Sequence, residues 1–276
     1  MISGTTKIIA HIGDPIAPVK APLIYNPYFE RYGIDAAVVP MGVAAGDYAQ
    51  TLKSLFRMTN IFGALVTMPH KVATVALLDE STAAVQVAKS CNAILRRADG
   101  TLLGDLFDGE GFVRGLRSKG FRFSGASCLV VGTGGAGSAI AASLARAGVA
   151  TVSLYDKNDA SAEQLAARLT RHYPRLEVRL GSRDPAGFDL AVNATPLGMS
   201  AGDPLPLDAA RLAPRTWVGE VVMSPEITPL LRAAQEKGCQ TQVGTDMLYE
   251  QIPAYLEFFG FRSATVDELR AVSKVP

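Results

Sequence analysis

The sequence predicts an α/β fold in two parts. Strand-like and helix-like stretches alternate along most of the chain, the alternation breaks once for a hairpin, and it then restarts at a glycine-rich turn. Alternation of this kind places parallel strands in a sheet with crossover helices on its faces. The 276 residues suit two domains at roughly 100–200 residues each.

Taken in order, Lys7–Ile12 is an apolar run that stops at Gly13-Asp14-Pro15 and reads as a strand. Pro22–Tyr32 reads as a helix despite Pro27, and Ala36–Val39 as a short strand stopped by Pro40. Tyr48–Met58 has helical spacing, and Ile61–Thr67 is a strand running into Pro69. From Cys91 to Leu106 the rhythm gives way to a hairpin, with Asp99-Gly100 as its turn. Asp108–Lys119 is a helix stopped by Gly120, and the domain boundary falls there.

The second rhythm opens with the strand Ser127–Val131 and the small-residue helix Gly134–Ala147, closed by Gly148. The strand Thr151–Tyr155 and the helix Ala160–Arg171 follow, then the strands Asp189–Asn193 and Trp217–Val222, then a long helix over Thr245–Phe259 that includes Pro253. The expected division is a first domain over residues 1–108, a second over 109–243, and C-terminal helices from about 244 to 276 packing back on the first. A cleft is expected between the two.

Composition narrows the class. Hydrophobic residues make up 48% and charged residues 19%, enough apolar material for a core. Lys plus Arg number 27 against 26 Asp plus Glu, a net charge of +1, so no basic field exists to hold nucleic acid or an anionic membrane. Cys91, Cys128 and Cys239 are odd in number and far apart, and read as buried thiols, with neither a disulfide framework nor a metal site. The N-terminus lacks a basic segment followed by a long apolar one, and no run approaches the roughly 20 residues of a membrane span. A cytoplasmic protein with a small-molecule partner, monomeric or homodimeric, is expected.

Gly132-Thr-Gly134-Gly-Ala-Gly137 fits G-x-G-x-x-G, and it lies where that pattern has meaning, after a strand and opening a helix. The first glycine permits the turn, the second lets backbone approach a pyrophosphate, and the third packs helix on strand. The helix N-terminus adds free N–H groups and partial positive charge. The second domain is therefore expected to be a Rossmann-type dinucleotide domain. Asp156 ends the next strand, where a carboxylate accepts bonds from ribose hydroxyls and repels a 2′-phosphate, so the expected cofactor is NAD rather than NADP. Lys157 follows directly and softens that discrimination.

Lys71, in Val66-Thr-Met-Pro-His-Lys71, and Asp108, in Gly104-Asp-Leu-Phe-Asp108, form a candidate proton relay for hydride transfer at a carbinol. A free lysine has a pKa of about 10.4, so a base working near neutrality needs desolvation or neighbouring positive charge, and the aspartate suits orienting the ammonium. From residue types alone, a surface ion pair is the better explanation of any one Lys and Asp.

Over nearly its whole length the sequence resembles the shikimate/quinate dehydrogenase family. Gly13-Asp-Pro-Ile16 resembles that family's first loop, and Val66–Lys71 resembles its V-T-x-P-x-K, whose lysine is catalytic. Cys91-Asn92-Ala93 resembles a segment whose asparagine binds substrate, and Asp108-Gly109 the end of N-T-D-G, whose aspartate partners the lysine. Asn193–Met199 resembles N-A-T-P-x-G-M beside the nicotinamide, and Met247–Gln251 resembles M-L-x-x-Q, whose glutamine reaches substrate. The resemblance implies catalysis by Lys71 and Asp108, with substrate bound by Asn92, Gln251, Thr67, Lys20 and Tyr25. It implies a cofactor site of Gly132, Gly134, Gly135, Ala136, Gly137, Asp156, Lys157, Asn193, Ala194, Thr195, Met199 and Gly244, and no metal.

The departures are as informative. The family's S-x-S-P, whose two hydroxyls hold the substrate carboxylate, is Val19-Lys20-Ala21-Pro22, and the histidine that follows is Tyr25. The N-T before the aspartate is Leu106-Phe107, and the N-R-T at an NADP phosphate is Asp156-Lys157-Asn158. A hydrogen bond to a charged group contributes about 1.5–3 kcal/mol, so two lost hydroxyls weaken shikimate binding by roughly two to four powers of ten unless Lys20 compensates. The altered loop suggests a different or less acidic substrate. A non-catalytic NAD-binding sensor is the alternative, opposed by the retained Lys71, Asn92, Asp108 and Gln251.

Overall fold

The computed structural model describes residues 2–275. They form two compact units: one runs to Phe107 and resumes at Ile252, and the other is Asp108–Gln251.

The first unit contains β1 (Lys7–Gly13), α1 (Pro22–Arg31), β2 (Ala36–Gly42), α2 (Tyr48–Leu55), β3 (Ile61–Val66), α3 (Lys71–Thr74), β4 (Glu80–Ser81), α4 (Ala83–Ala88), β5 (Ala93–Arg96) and β6 (Leu102–Asp105). Their sheet has the order β2-β1-β3-β5-β6-β4. β1, β2 and β3 run parallel, while β5 is antiparallel to both β3 and β6. The hairpin turn holds because Gly100 takes φ +89° and the Asp99 carboxylate accepts from the Thr101 N–H and hydroxyl.

Pro40, expected to stop a strand, does not, and the helix read through Pro27 forms. β2 continues through Pro40 to Gly42. It is an edge strand, and two residues earlier Val38 turns its N–H and C=O outward to the Asn26 side chain, at 2.8 and 3.0 Å. Residue 40 faces the same way, so its missing N–H costs no ladder bond. In α1, Pro27 cannot bond the Leu23 carbonyl, and that oxygen accepts instead from the Lys274 N–H at 2.9 Å. The C-terminal stretch thereby closes over α1. There Phe29 meets Phe261, and Tyr28 donates to the Arg262 and Ser263 carbonyls.

The second unit begins with α5 (Asp108–Ser118), followed by β7 (Ser127–Val131), α6 (Gly135–Ala147), β8 (Thr151–Tyr155), α7 (Asp159–His172), β9 (Glu177–Leu180), β10 (Leu190–Asn193), β11 (Trp217–Glu220), α8 (Pro229–Glu236) and β12 (Thr241–Gln242). The chain then runs through α9 (Gly244–Phe258) to α10 (Val266–Val272). The sheet order is β12-β11-β10-β7-β8-β9, and every pairing is parallel. The chain steps outward from β7 to β9, then returns to lay β10 on the other side of β7. That reversal is the switch point beyond whose carboxyl ends ligands of such sheets bind. β7 is buried on both faces, with Cys128, Leu129 and Val130 fully enclosed.

Candidate active site

The carboxyl end of β7 carries the glycine turn. Gly132 has φ +98°, and a side chain on it would meet the Ala194 backbone at 2.8 Å. A Cβ on Gly137 would lie 1.9 Å from the Gly132 oxygen, so the third glycine is what lets α6 seat on the turn. Around Gly134 and Gly135 the space is open and both are exposed, which leaves the start of α6 accessible, with Ala136 half-buried behind them. Backbone that is tight behind and open in front fits a pyrophosphate. Gly244 sits against backbone too: its Cβ would meet the Val222 oxygen at 2.3 Å.

Asp156 does not stand free at the end of β8. One carboxylate oxygen accepts from the Thr133 N–H and hydroxyl, at 2.7 and 3.0 Å, and the other from the Asn158 N–H at 3.0 Å. Burial pushes its pKa up, but these bonds and Lys157 outweigh that and hold it below the usual value. It braces the glycine turn.

Asn193 is fully buried, and its side chain faces inward. Its Nδ2 donates to the Leu197 carbonyl and to both Glu220 oxygens, and its Oδ1 accepts from the Thr195 N–H and hydroxyl. Glu220 also accepts from Val221 N–H, Val222 N–H and the Thr228 hydroxyl. Burial raises its pKa in spite of these donors. Ala194 and Thr195 are thus shaped by a carboxylate that the sequence reading missed, although a lone Glu among Trp217-Val-Gly-Glu-Val-Val is a visible signal. Met199 is 60% exposed beyond this network.

In the first unit the loops after β1 and β3 are lashed together. Asp14 N–H donates to the Met68 carbonyl, Thr67 N–H donates to the Ile12 carbonyl, and a Cβ on Gly13 would strike the Thr67 methyl. Lys71 opens α3 half-buried, with a clamp on either side. His70 stacks on Tyr48 at 4.1 Å and 5°, and its Nε2 bonds the Val43 carbonyl. Tyr48 and Thr74 share a 2.6 Å hydroxyl bond, and Thr74 returns to the His70 carbonyl. The Lys71 carbonyl accepts from Cys91 N–H. Asn92 is buried, with its Oδ1 accepting from Phe107 N–H at 3.0 Å.

The remaining expected residues fall in different surroundings. Lys20 is exposed, Val19 and Ala21 are half-buried, and Tyr25 is buried, which drives its phenol pKa well up. Phe107 is built into the core, edge-on to Tyr255 and Phe258 at 4.7 and 5.4 Å. Asp108 and Gln251 belong to the second unit, where the Gln251 Oε1 is buried with no partner. His11, beside Lys71, also escaped the sequence reading. Burial first, then the Lys71 charge, lower its pKa to about 4. The unfolded chain therefore takes up this proton near pH 6.5 and the fold refuses it until about 4, so His11 erodes stability as pH falls through that window. Among the described residues there is no cluster of three or more His, Cys, Asp or Glu able to hold a metal, and no helix long and apolar enough to cross a membrane.

Unit by unit, this is the architecture of a dinucleotide-dependent oxidoreductase. Comparison with known proteins gives the particular kind. The family described as the shikimate dehydrogenase substrate binding domain matches residues 11–94. The shikimate dehydrogenase (NADP(+)) of Acidiphilium cryptum is 36% identical over 99% of this chain and 98% of its own. The crystal structure of shikimate 5-dehydrogenase from Listeria monocytogenes with shikimate and NAD superposes with a TM-score of 0.91 at 28% identity, covering 98% of this chain and 97% of that one. The 5-ketofructose reductase of a Gluconobacter strain gives 0.88 at 26% identity, covering 98% of both chains. The chain belongs to the shikimate dehydrogenase family of aromatic amino acid biosynthesis, and it is an oxidoreductase acting on a CH–OH donor.

The comparison corrects the expectation of NAD. Five curated relatives, at 33–36% identity, are all named for NADP(+). The physical reason lies in Asp156: its oxygens are engaged by Thr133 and Asn158, so it is no free carboxylate aimed at a 2′-phosphate.

Proposed function

We propose that this chain is an NADP-linked dehydrogenase of a ring hydroxyl, acting on shikimate or a cyclic polyol of similar shape. The observation that carries this reading is the clamp on Lys71, held through His70 and Cys91 yet half open. A lysine so placed suits taking a proton from a hydroxyl and returning it. NADP, when bound, supplies the hydride acceptor. Asp108 orients the ammonium, in the role its motif has in the family. Asn92 and Gln251 hold ring hydroxyls, and the unpartnered Gln251 Oε1 is an acceptor awaiting a donor. Lys157 and Arg183, whose guanidinium lies over Tyr155 at the end of β8, offer cations to the 2′-phosphate.

Val19 and Ala21 carry no donor for a substrate carboxylate, which favours less acidic ring polyols and leaves shikimate and quinate with high KM. The test is a panel of cyclic hydroxy acids and polyols with NADP and NAD, read by absorbance of the reduced nicotinamide. Turnover with NADP ahead of NAD is expected. No turnover of any such compound with either cofactor sinks the reading, and a preference for NAD sinks its cofactor half.

A further inference from the structure

One buried nitrogen beside the lysine has no use in the chemistry above. His11 is 9% exposed, and its Nδ1 is sealed from solvent with no hydrogen-bond partner. An unpaired polar atom in a core is costly, and a leucine would fill the place without that cost. Side chains two apart on a strand share a face, so His11 lies on the same side of β1 as Gly13, whose Cβ position meets Thr67. Its register partner on β3 is Leu65, again two residues before Thr67. The imidazole therefore sits beneath the Thr67–Lys71 loop, close enough to feel the lysine's charge. Other titratable groups about this lysine include His70, stacked on Tyr48, and Cys91, which senses both Lys71 and Asp105, while Asp108 is the partner proposed above.

Resting on the reading of Lys71 as proton carrier, we propose that His11 is a positioning residue for it, its Nδ1 accepting a hydrogen bond from the Lys71 ammonium once the lysine holds the substrate's proton. A protonated lysine has three N–H groups to place. A neutral imidazole with its own proton on Nε2 offers Nδ1 as an acceptor and adds no like charge. Deprotonated, the lysine loses the need for that partner, so the contact fixes one rotamer of the charged form.

The test compares His11→Leu with His11→Asn, whose side-chain amide can keep an acceptor near the Nδ1 position, in the full chain. His11→Leu is expected to melt no lower than the parent, with kcat down about tenfold to a hundredfold and KM little changed, and His11→Asn to recover kcat to within about threefold. A second readout needs no substrate: the ¹⁵N–H cross-peak of the Lys71 ammonium, which persists only while a hydrogen bond slows its exchange with water and is assigned by its loss in Lys71→Arg. The cross-peak should be present in the parent, lost in His11→Leu and restored in His11→Asn. A cross-peak kept in His11→Leu, or lost equally in His11→Asn, overturns the proposal whatever kcat does. Absence of any turnover with a lost and restored cross-peak would instead fault the substrate reading alone.

Discussion

Each sheet presents a loop proposed to bind ligand after a parallel strand, and the two loops are made of different material. After β7 the surface is backbone: Gly132 and Gly137 have no room for a side chain, and Gly134 and Gly135 leave the front open. After β1 the family's surface is side chain, two serine hydroxyls, and here those positions are Val19 and Ala21, half-buried in a loop that keeps its backbone ties to Met68. Backbone sites resist substitution because any added atom collides. Side-chain sites change at little structural cost.

Three variants probe that contrast. The largest effect is expected at Lys71, the side chain proposed to carry the proton: Lys71→Ala should lower kcat by about 10²–10⁴ while NADP binding, followed by fluorescence titration, stays within about twofold. Near-full turnover would remove the lysine from the reaction. Next comes Gly137→Ala, which puts a Cβ where the Gly132 carbonyl already is. Calorimetry should show a loss of about 1–3 kcal/mol, with NADP Kd raised at least about tenfold. If the variant binds and melts like the parent, the backbone side of the contrast fails. The smallest effect is the restoration Val19→Ser with Ala21→Ser. One recovered bond to a carboxylate, about 1.5 kcal/mol, should lower shikimate KM about tenfold, with kcat steady because a group remote from the reacting carbon binds ground and transition states alike. A change in kcat rather than KM would place the loop at the reacting carbon.

What the sequence makes legible follows the same division. The strand–helix rhythm, the Asp99-Gly100 hairpin and the glycine turn rest on local rules and stand where those rules put them. Pro40 misleads because whether a missing N–H matters depends on which side of an edge strand it faces, and Asn26 decides that from another element. β9 goes unread because it is short and largely exposed, with little periodic apolar signal. Asp156 carries the right residue for ribose recognition, but the direction of its oxygens is set by Thr133 and Asn158, which a motif does not encode. His11 and Glu220 hide inside apolar strands, where one polar residue reads as noise until its neighbours are known.

Glu220 has one more consequence. Its carboxylate joins the end of β10, the two residues after β11 and the threonine that caps α8. The first of these stretches is distant in sequence from the other two, yet all three share one buried carboxyl group, and none of them can peel away without stranding it. They open as a single cooperative unit or not at all, so the loop after β10 borrows its rigidity from the interior of the sheet.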